Sequence, residues 1–115
     1  GIGDGAFNYC TALTYVSLPK ATGIGDSAFS NCRALKSVSL PKATDIGGYA
    51  FRECTALTRL DISGVTDNGK LNTTIFWTAV TTNCDLILSK AVYDAAGING
   101  GTRFFGYTWK TITYK

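Results

Sequence analysis

The sequence predicts an α/β solenoid in which a short strand and a short helical turn alternate along stacked units. Three observations predict this fold. Residues 1–22, 23–44 and 45–66 are three copies of one 22-residue unit without a slip in register. Apolar residues recur at fixed positions, as at Phe7, Phe29 and Phe51. The period falls in the range, about 20–50 residues, in which each unit buries its apolar face only by stacking on the next.

Each unit begins with a segment for which the sequence predicts a short helical turn. In the second unit Asp26 is a suitable N-cap, and Ala28, Phe29 and Cys32 would share one side of a helix. Asp4 recurs one period before Asp26, so both aspartates are expected to cap the turn of their own unit.

A short strand follows in every unit. Val38 and Leu40 alternate with Ser37 and Ser39, which is the pattern of a strand with one buried face. Pro41 ends this strand because proline has no amide hydrogen to donate. Stacking should place the strands in a narrow parallel sheet on the concave side, with the helical turns on the convex side.

The repeat breaks after residue 66, and residues 67–115 are interpreted as an irregular fourth repeat and C-terminal cap of the same domain. The sequence predicts a longer convex segment over 67–83, a fourth strand over 84–89 and a short helix over 92–96. An aromatic-rich strand should close the chain, since a solenoid needs an atypical unit at its open end. We interpret four aromatic residues as packing of this cap: Trp77, Phe104, Phe105 and Trp109.

The repeated motifs resemble those of a known family. The strand pattern Leu13-x-x-Val16-x-Leu18-Pro19, joined to I-G-x-x-A-F-x-x-C, resembles the BspA-like leucine-rich repeats. The resemblance covers residues 1–66 directly, and the C-terminal segment resembles the terminal segment of such chains. It implies a right-handed leucine-rich-repeat solenoid in a secreted or cell-surface bacterial protein that takes part in adhesion to host or microbial surfaces.

The composition of the chain argues against several classes of function. The net charge is +3, but the basic residues are not clustered into a stripe, so no nucleic-acid partner is expected. No apolar stretch approaches the length of a membrane span. The chain has no His for a catalytic pair, and its cysteines lie too far apart for the usual zinc-ligand spacing. We therefore expect no enzyme activity, no bound metal and no cofactor.

The cysteines follow the repeat. Cys10, Cys32 and Cys54 are predicted to form an inward ladder of free, buried thiols, because cysteine behaves as a small apolar residue. Units about 4.8 Å apart would also allow a disulfide, so pairing stays open. Cys84 should close this ladder or lie beside it.

The outward strand positions are those that packing leaves free to bind a ligand. Solenoids bind partners on extended concave surfaces, and Tyr and Arg are frequent binding anchors. The alternative for any one of these residues is ordinary solvent exposure. We predict a protein-binding concave face made of eight residues: Tyr15, Ser17, Ser37, Ser39, Arg59, Asp61, Asp85 and Ile87.

The predicted function is that of a non-enzymatic, monomeric protein-binding module whose ligand is a protein on a host or microbial surface. One alternative is carbohydrate binding around Tyr15, and another is a structural stalk that carries a different domain. The chain contains no Met and opens inside a repeat, so we interpret it as the C-terminal piece of a longer protein.

Overall fold

The computed structural model describes residues 1–115 and is a parallel β-solenoid. Its main sheet has five strands, and their order in the sheet follows their order in the chain. All neighbouring strands of this sheet are parallel. The strands are β1 (Tyr15–Ser17), β3 (Ser37–Ser39), β5 (Arg59–Asp61), β6 (Asp85–Leu88) and β9 (Thr111–Tyr114). The predicted solenoid is thus confirmed, whereas its right-handed winding stays a prediction.

Two smaller sheets complete the strand structure. β2 (Gly23–Ile24) and β4 (Asp45–Ile46) pair in parallel, and Ile2 extends this pairing by a bridge to Ile24. β7 (Arg103–Phe104) and β8 (Tyr107–Thr108) form an antiparallel hairpin near the C terminus. The first of these sheets gives every unit of the repeat a second point of backbone contact with its neighbour.

The core is one continuous cluster of 28 buried residues. One wall is the inner face of the main sheet, formed by a row of aliphatic side chains: Val16, Val38, Leu60, Leu86 and Ile112. The opposite wall is a stack of phenylalanine rings, with centroid separations of 5.4 Å from Phe7 to Phe29, 5.6 Å from Phe29 to Phe51 and 6.1 Å from Phe51 to Phe76. Trp109 ends the stack, since its ring meets Phe76 edge-on at 5.0 Å.

The convex segments of the first three units are linked turns, and the prediction of short helical turns is wrong there. Alternate amides bond within the turn, as Ser30 N–H does to Ser27 O at 3.1 Å. The amides between them bond to the next unit, as Phe29 N–H does to Ala50 O at 2.9 Å. Ser27 and Asn31 adopt positive φ angles of 57° and 61°, which interrupt a helix. Bonding between units therefore replaces bonding along a helix.

The C-terminal third keeps the stack in register despite its different sequence. The predicted fourth strand is β6, in which Leu86 pairs with Leu60. The predicted helix is α1 (Lys90–Ala95), whose N-cap Ser89 accepts a hydrogen bond from the Val92 amide. The predicted closing strand is β9. The other helical segment is a 3₁₀ turn, Asn68–Lys70, and neither helix is long and apolar enough to cross a membrane.

Candidate functional site

The eight predicted residues lie together on the outer face of the main sheet. The strand register places them in two rows that run across all five strands. The first row is Tyr15, Ser37, Arg59, Asp85 and Thr111, and the second is Ser17, Ser39, Asp61, Ile87 and Thr113. We call these ten positions the strand face. Sequence reasoning missed Thr111 and Thr113, because β9 lies outside the repeat and its register cannot be read from the period.

Tyr15 and Arg59 are the large accessible side chains of the strand face. Tyr15 is 62% exposed, and Arg59 is exposed with no ion pair and no side-chain hydrogen bond. Ser37 lies between them in the row and is half-buried. A phenol and an unpaired guanidinium thus stand two strands apart, roughly 10 Å, on the outer face of the sheet.

Asp85 is held in place from the neighbouring strand. Thr111 Oγ1 donates to Asp85 Oδ1 at 2.6 Å, which links β6 to β9 through side chains. Arg59 is the register partner of Asp85 on the other side. The acid is therefore oriented on the face by a threonine that the repeat pattern does not identify.

Asp61 occupies its predicted register position, but its carboxylate is not accessible. The side chain is 1% exposed, and Lys115 Nζ lies 2.7 Å from Oδ2. Ser63 donates to Oδ1 from its amide at 3.0 Å and from its hydroxyl at 2.6 Å. Burial raises the pKa of the Asp61 carboxyl, but Lys115 and the Ser63 donors outweigh burial and bring that pKa below its usual value. The prediction that Asp61 is an exposed contact residue is therefore wrong, because Lys115 covers its carboxylate.

Asp4 and Asp26 connect neighbouring units. Asp4 Oδ1 accepts from the Asp26 amide, and Asp26 Oδ1 accepts from the Gly48 amide, both at 2.9 Å. The prediction that each caps its own turn is wrong, because each carboxylate accepts from the amide at the equivalent position of the following unit. The close approach requires glycine at position 25, where a Cβ would lie 2.5 Å from Asp4 Oδ1. These carboxylates are structural acceptors.

A family profile described as BspA type Leucine rich repeat region (6 copies) matches residues 1–87. The match spans the three repeats and most of the fourth strand. This chain belongs to the BspA-type leucine-rich repeat family. Repeat proteins of this family often take part in protein interactions, and they are typically surface or secreted bacterial proteins. Comparisons with curated proteins and with solved structures found no match.

The cysteines of this BspA-type chain are free, and Cys32, Cys54 and Cys84 are buried. The prediction of burial is wrong for Cys10, which is half-buried because the first unit has a neighbouring unit on one side only. Cys32 Sγ donates to Phe7 O at 3.1 Å, and Cys54 Sγ donates to Phe29 O at 3.2 Å. Burial raises the pKa of both Cys54 and Cys84 to about 12, with Cys32 adding to the first shift and Asp85 to the second. Cys54 and Cys84 therefore stay protonated at neutral pH. Cys32 and Cys54 each bond their unit to the one before it, whereas Cys84 Sγ lies 3.7 Å from the carbonyl oxygen of the adjacent Asp85.

The cavities of the solenoid lie away from the strand face. The largest, about 430 Å³, is an open hollow lined by Asn68, Ala96, Arg103 and the segment 104–106. A second, of about 400 Å³, adjoins α1, and a third, of about 330 Å³, lies at the first unit. Small substrates bind in concave sites that surround them. The strand face, which lines none of these cavities, is suited to a macromolecular partner.

Trp77 is the residue whose environment differs most from its sequence interpretation. Trp109 and Phe104 are buried in the cap as predicted, but Trp77 is 51% exposed on the side of the turns. Its interpretation as cap packing is wrong, because Phe76 takes the inward position of this turn and Trp77 follows it outward. The alternation of inward and outward residues in units 1–3 could have indicated this, had the longer fourth unit been aligned on Phe76.

Proposed function

We propose that this chain is a non-catalytic protein-binding module that binds its partner on the strand face. The observation that carries the proposal is an uncovered parallel sheet. Parallel sheets are normally covered on both faces, yet here one face packs on the core while the other presents Tyr15 and Arg59 to solvent. A partner protein that covers this face would bury a tyrosine and an arginine, two residue types enriched among binding hot spots.

The packing beneath the strand face supports recognition by a rigid surface. Val38 and Leu60 are fully buried under the two rows, and Thr111 and Lys115 fix the acids Asp85 and Asp61. Binding groups on a preorganised sheet lose little conformational freedom when a partner arrives. We propose that Tyr15, Ser17, Ser37, Ser39, Arg59, Asp85 and Ile87 contact the partner, and that Asp61 positions the neighbouring Ser63 and Lys115.

The family supports the finer parts of the proposal. We propose a monomeric module of a secreted or cell-surface bacterial protein, in which residues 1–66 and 67–115 act as one domain and the partner is a protein on a host or microbial surface. Carbohydrate binding around Tyr15 receives less support, since Tyr15 is the one aromatic residue in the two rows. A structural stalk would have no ligand on this face.

Surface plasmon resonance of the intact chain against a panel of host-matrix and microbial-surface proteins tests the proposal. Tyr15→Ala and Arg59→Glu should each weaken binding at least tenfold and leave the free energy of unfolding within ~0.5 kcal/mol, as for surface changes away from special features. The matched control is Arg33→Glu, an exposed arginine on the side of the turns whose Nη2 bonds Asn31 Oδ1 at 3.3 Å. Binding lost through Arg33 and kept through Tyr15 and Arg59 would place the site elsewhere.

A further inference from the structure

The side of the turns carries a second exposed group of large residues, across the core from the strand face. Trp77 is 51% exposed and Tyr49 is 41% exposed. Arg52 lies beside Tyr49, with its guanidinium carbon 5.7 Å from the centroid of the Tyr49 ring. We call Tyr49, Arg52 and Trp77 the turn-side patch.

Backbone hydrogen bonds place Arg52 and Trp77 at equivalent positions of adjacent turns. Phe51 N–H donates to Ile75 O at 2.9 Å, and Glu53 N–H donates to Trp77 O at 3.0 Å. The ring of Phe51 stacks inward on Phe76, so the residue that follows each phenylalanine faces outward. The turns are about 4.8 Å apart, as neighbouring strands are. A guanidinium and an indole therefore emerge side by side from the surface.

Arg52 carries an uncompensated charge. The ion pairs of the chain join Lys70 to Asp45, Lys90 to Asp94 and Lys115 to Asp61, and Arg52 takes part in none of them. Its guanidinium also makes no hydrogen bond within the protein, so all its N–H donors are available to a ligand. The ring of Tyr49 beneath it supplies a cation–π contact that favours one orientation of the fork.

We propose that the turn-side patch binds an acidic carbohydrate. The apolar face of one sugar ring would stack on the indole of Trp77, and a carboxylate or sulfate of the same or the next sugar would pair with Arg52 in a bidentate contact. An indole face is flat and apolar, and a guanidinium matches the geometry of a planar or tetrahedral oxyanion. Thr78 follows Trp77, and its hydroxyl, which donates to Trp77 O at 2.6 Å, can accept a hydrogen bond from a sugar hydroxyl.

The size and surroundings of the patch favour a sugar over a protein partner. A stable protein interface buries about 800 Å² on each side around an apolar centre. Here the exposed large apolar side chains near Arg52 are Tyr49, Trp77 and Val80. The backbone amides of these turns already bond between units, so no free strand edge is available to add a peptide strand.

Titration of the intact chain with three oligosaccharides tests the proposal: one rich in uronate, one sulfated and one neutral. An acidic oligosaccharide should bind at least tenfold more tightly than the neutral one, and comparison of the two acidic oligosaccharides identifies which anion is preferred. Trp77→Ala should weaken acidic binding at least tenfold, and Trp77→Phe, which keeps an aromatic ring, should weaken it less. Arg52→Gln should remove the preference for acidic over neutral sugar.

Arg33→Gln and Tyr15→Ala are the matched controls, because the first removes an exposed positive charge outside the patch and the second alters the strand face. Both should leave oligosaccharide binding within twofold of the wild type. Far-ultraviolet circular dichroism verifies that each variant is folded, as expected for exposed positions. The proposal is overturned if no oligosaccharide binds, if neutral sugar binds equally well, if Arg33→Gln weakens binding as much as Arg52→Gln, or if Trp77→Ala weakens binding of a protein partner and not of a sugar.

Discussion

At the scale of single residues, Asp61 has the environment with the clearest measurable consequence. Its folded-state pKa is lowered, so the unfolded chain takes up a proton more readily than the folded chain as the pH falls. The stabilisation it contributes is present above the unfolded pKa, about 3.9 for Asp, and is lost as the pH falls through the folded pKa. We expect Asp61→Asn to lower the free energy of unfolding at pH 7, and this loss should shrink as the pH falls through the folded pKa, as measured by denaturant unfolding.

Lys115→Gln separates the ion pair from the Ser63 hydrogen bonds. The Lys115 side chain is 56% exposed, so its removal should cost about 1 kcal/mol at pH 7, a value that allows for solvent screening. The Ser63 donors remain in this variant and should keep part of the pH dependence. A pH profile of Lys115→Gln that coincides with that of the wild type would contradict the role given to the lysine.

Inside the repeat, the sequence correctly predicted which residues face inward and which face outward. Beyond the repeat, these predictions were less accurate. Inward and outward positions of β1, β3 and β5 followed from period-two alternation. Asp61 and Trp77 could not be interpreted correctly because their surroundings depend on residues 67–115. The ion pair between Lys115 and Asp61 joins residues that are 54 positions apart in the sequence (115 minus 61), and no local pattern predicts it.

At the scale of elements, the phenylalanine stack is the feature that joins one unit to the next. Phe29 is fully buried between Phe7 and Phe51, at 5.4 and 5.6 Å. Phe29→Ala should therefore cost ~3–5 kcal/mol, as for deletion of a core aromatic residue. Phe7→Ala should cost clearly less, because Phe7 is half-buried and has a ring on one side only. Equal losses in denaturant unfolding would contradict this.

The close approach of neighbouring turns gives a second prediction at this scale. A Cβ on Gly47 would lie 2.5 Å from Asp26 N and 2.7 Å from Gly25 C, and backbone atoms cannot move aside as a flexible side chain can. Gly47→Ala should therefore lower the free energy of unfolding by ~1–3 kcal/mol, as for other overpacked sites.

Gly23→Ala is its matched control. Gly23 lies in β2 and pairs with Asp45 of β4, two residues before Gly47. A Cβ on Gly23 would meet no atom within 4 Å. Its free energy of unfolding should stay within ~0.5 kcal/mol of the wild type. A loss as large as that of Gly47→Ala would mean that chain flexibility, and not the close approach of the turns, decides the cost.

The convex turns are an element whose conformation cannot be predicted from the sequence of one repeat alone. The spacing of Ala28, Phe29 and Cys32 fits one side of a helix, but it equally fits linked turns in which the same side chains face inward. The choice is made by hydrogen bonds to the next unit, such as that from Phe29 N–H to Ala50 O. Strands are specified by alternation within a unit, whereas these turns are specified by the stack.

At the scale of the whole molecule, the cap and the repeats share one core, and we expect them to unfold together. The ring stack runs unbroken from Phe51 to Phe76 at 6.1 Å and on to Trp109 at 5.0 Å, and Trp109 Nε1 donates to Phe104 O at 3.3 Å. A solenoid is held together by the interfaces between neighbouring units, and it unfolds as one unit when those interfaces are strong. The cap interface continues the same stack of aromatic rings that joins the repeats.

Trp77→Phe makes this expectation measurable, because it leaves Trp109 as the one tryptophan of the chain. Its fluorescence then reports on the cap, while labelling of the buried Cys32 and Cys54 reports on the repeats. We expect both thiols to be unreactive in the folded chain, since burial raises their pKa and removes them from solvent. Trp109 fluorescence, thiol labelling and circular dichroism should all give the same denaturant midpoint. A fluorescence transition at lower denaturant would mean that residues 67–115 unfold separately and are a distinct unit.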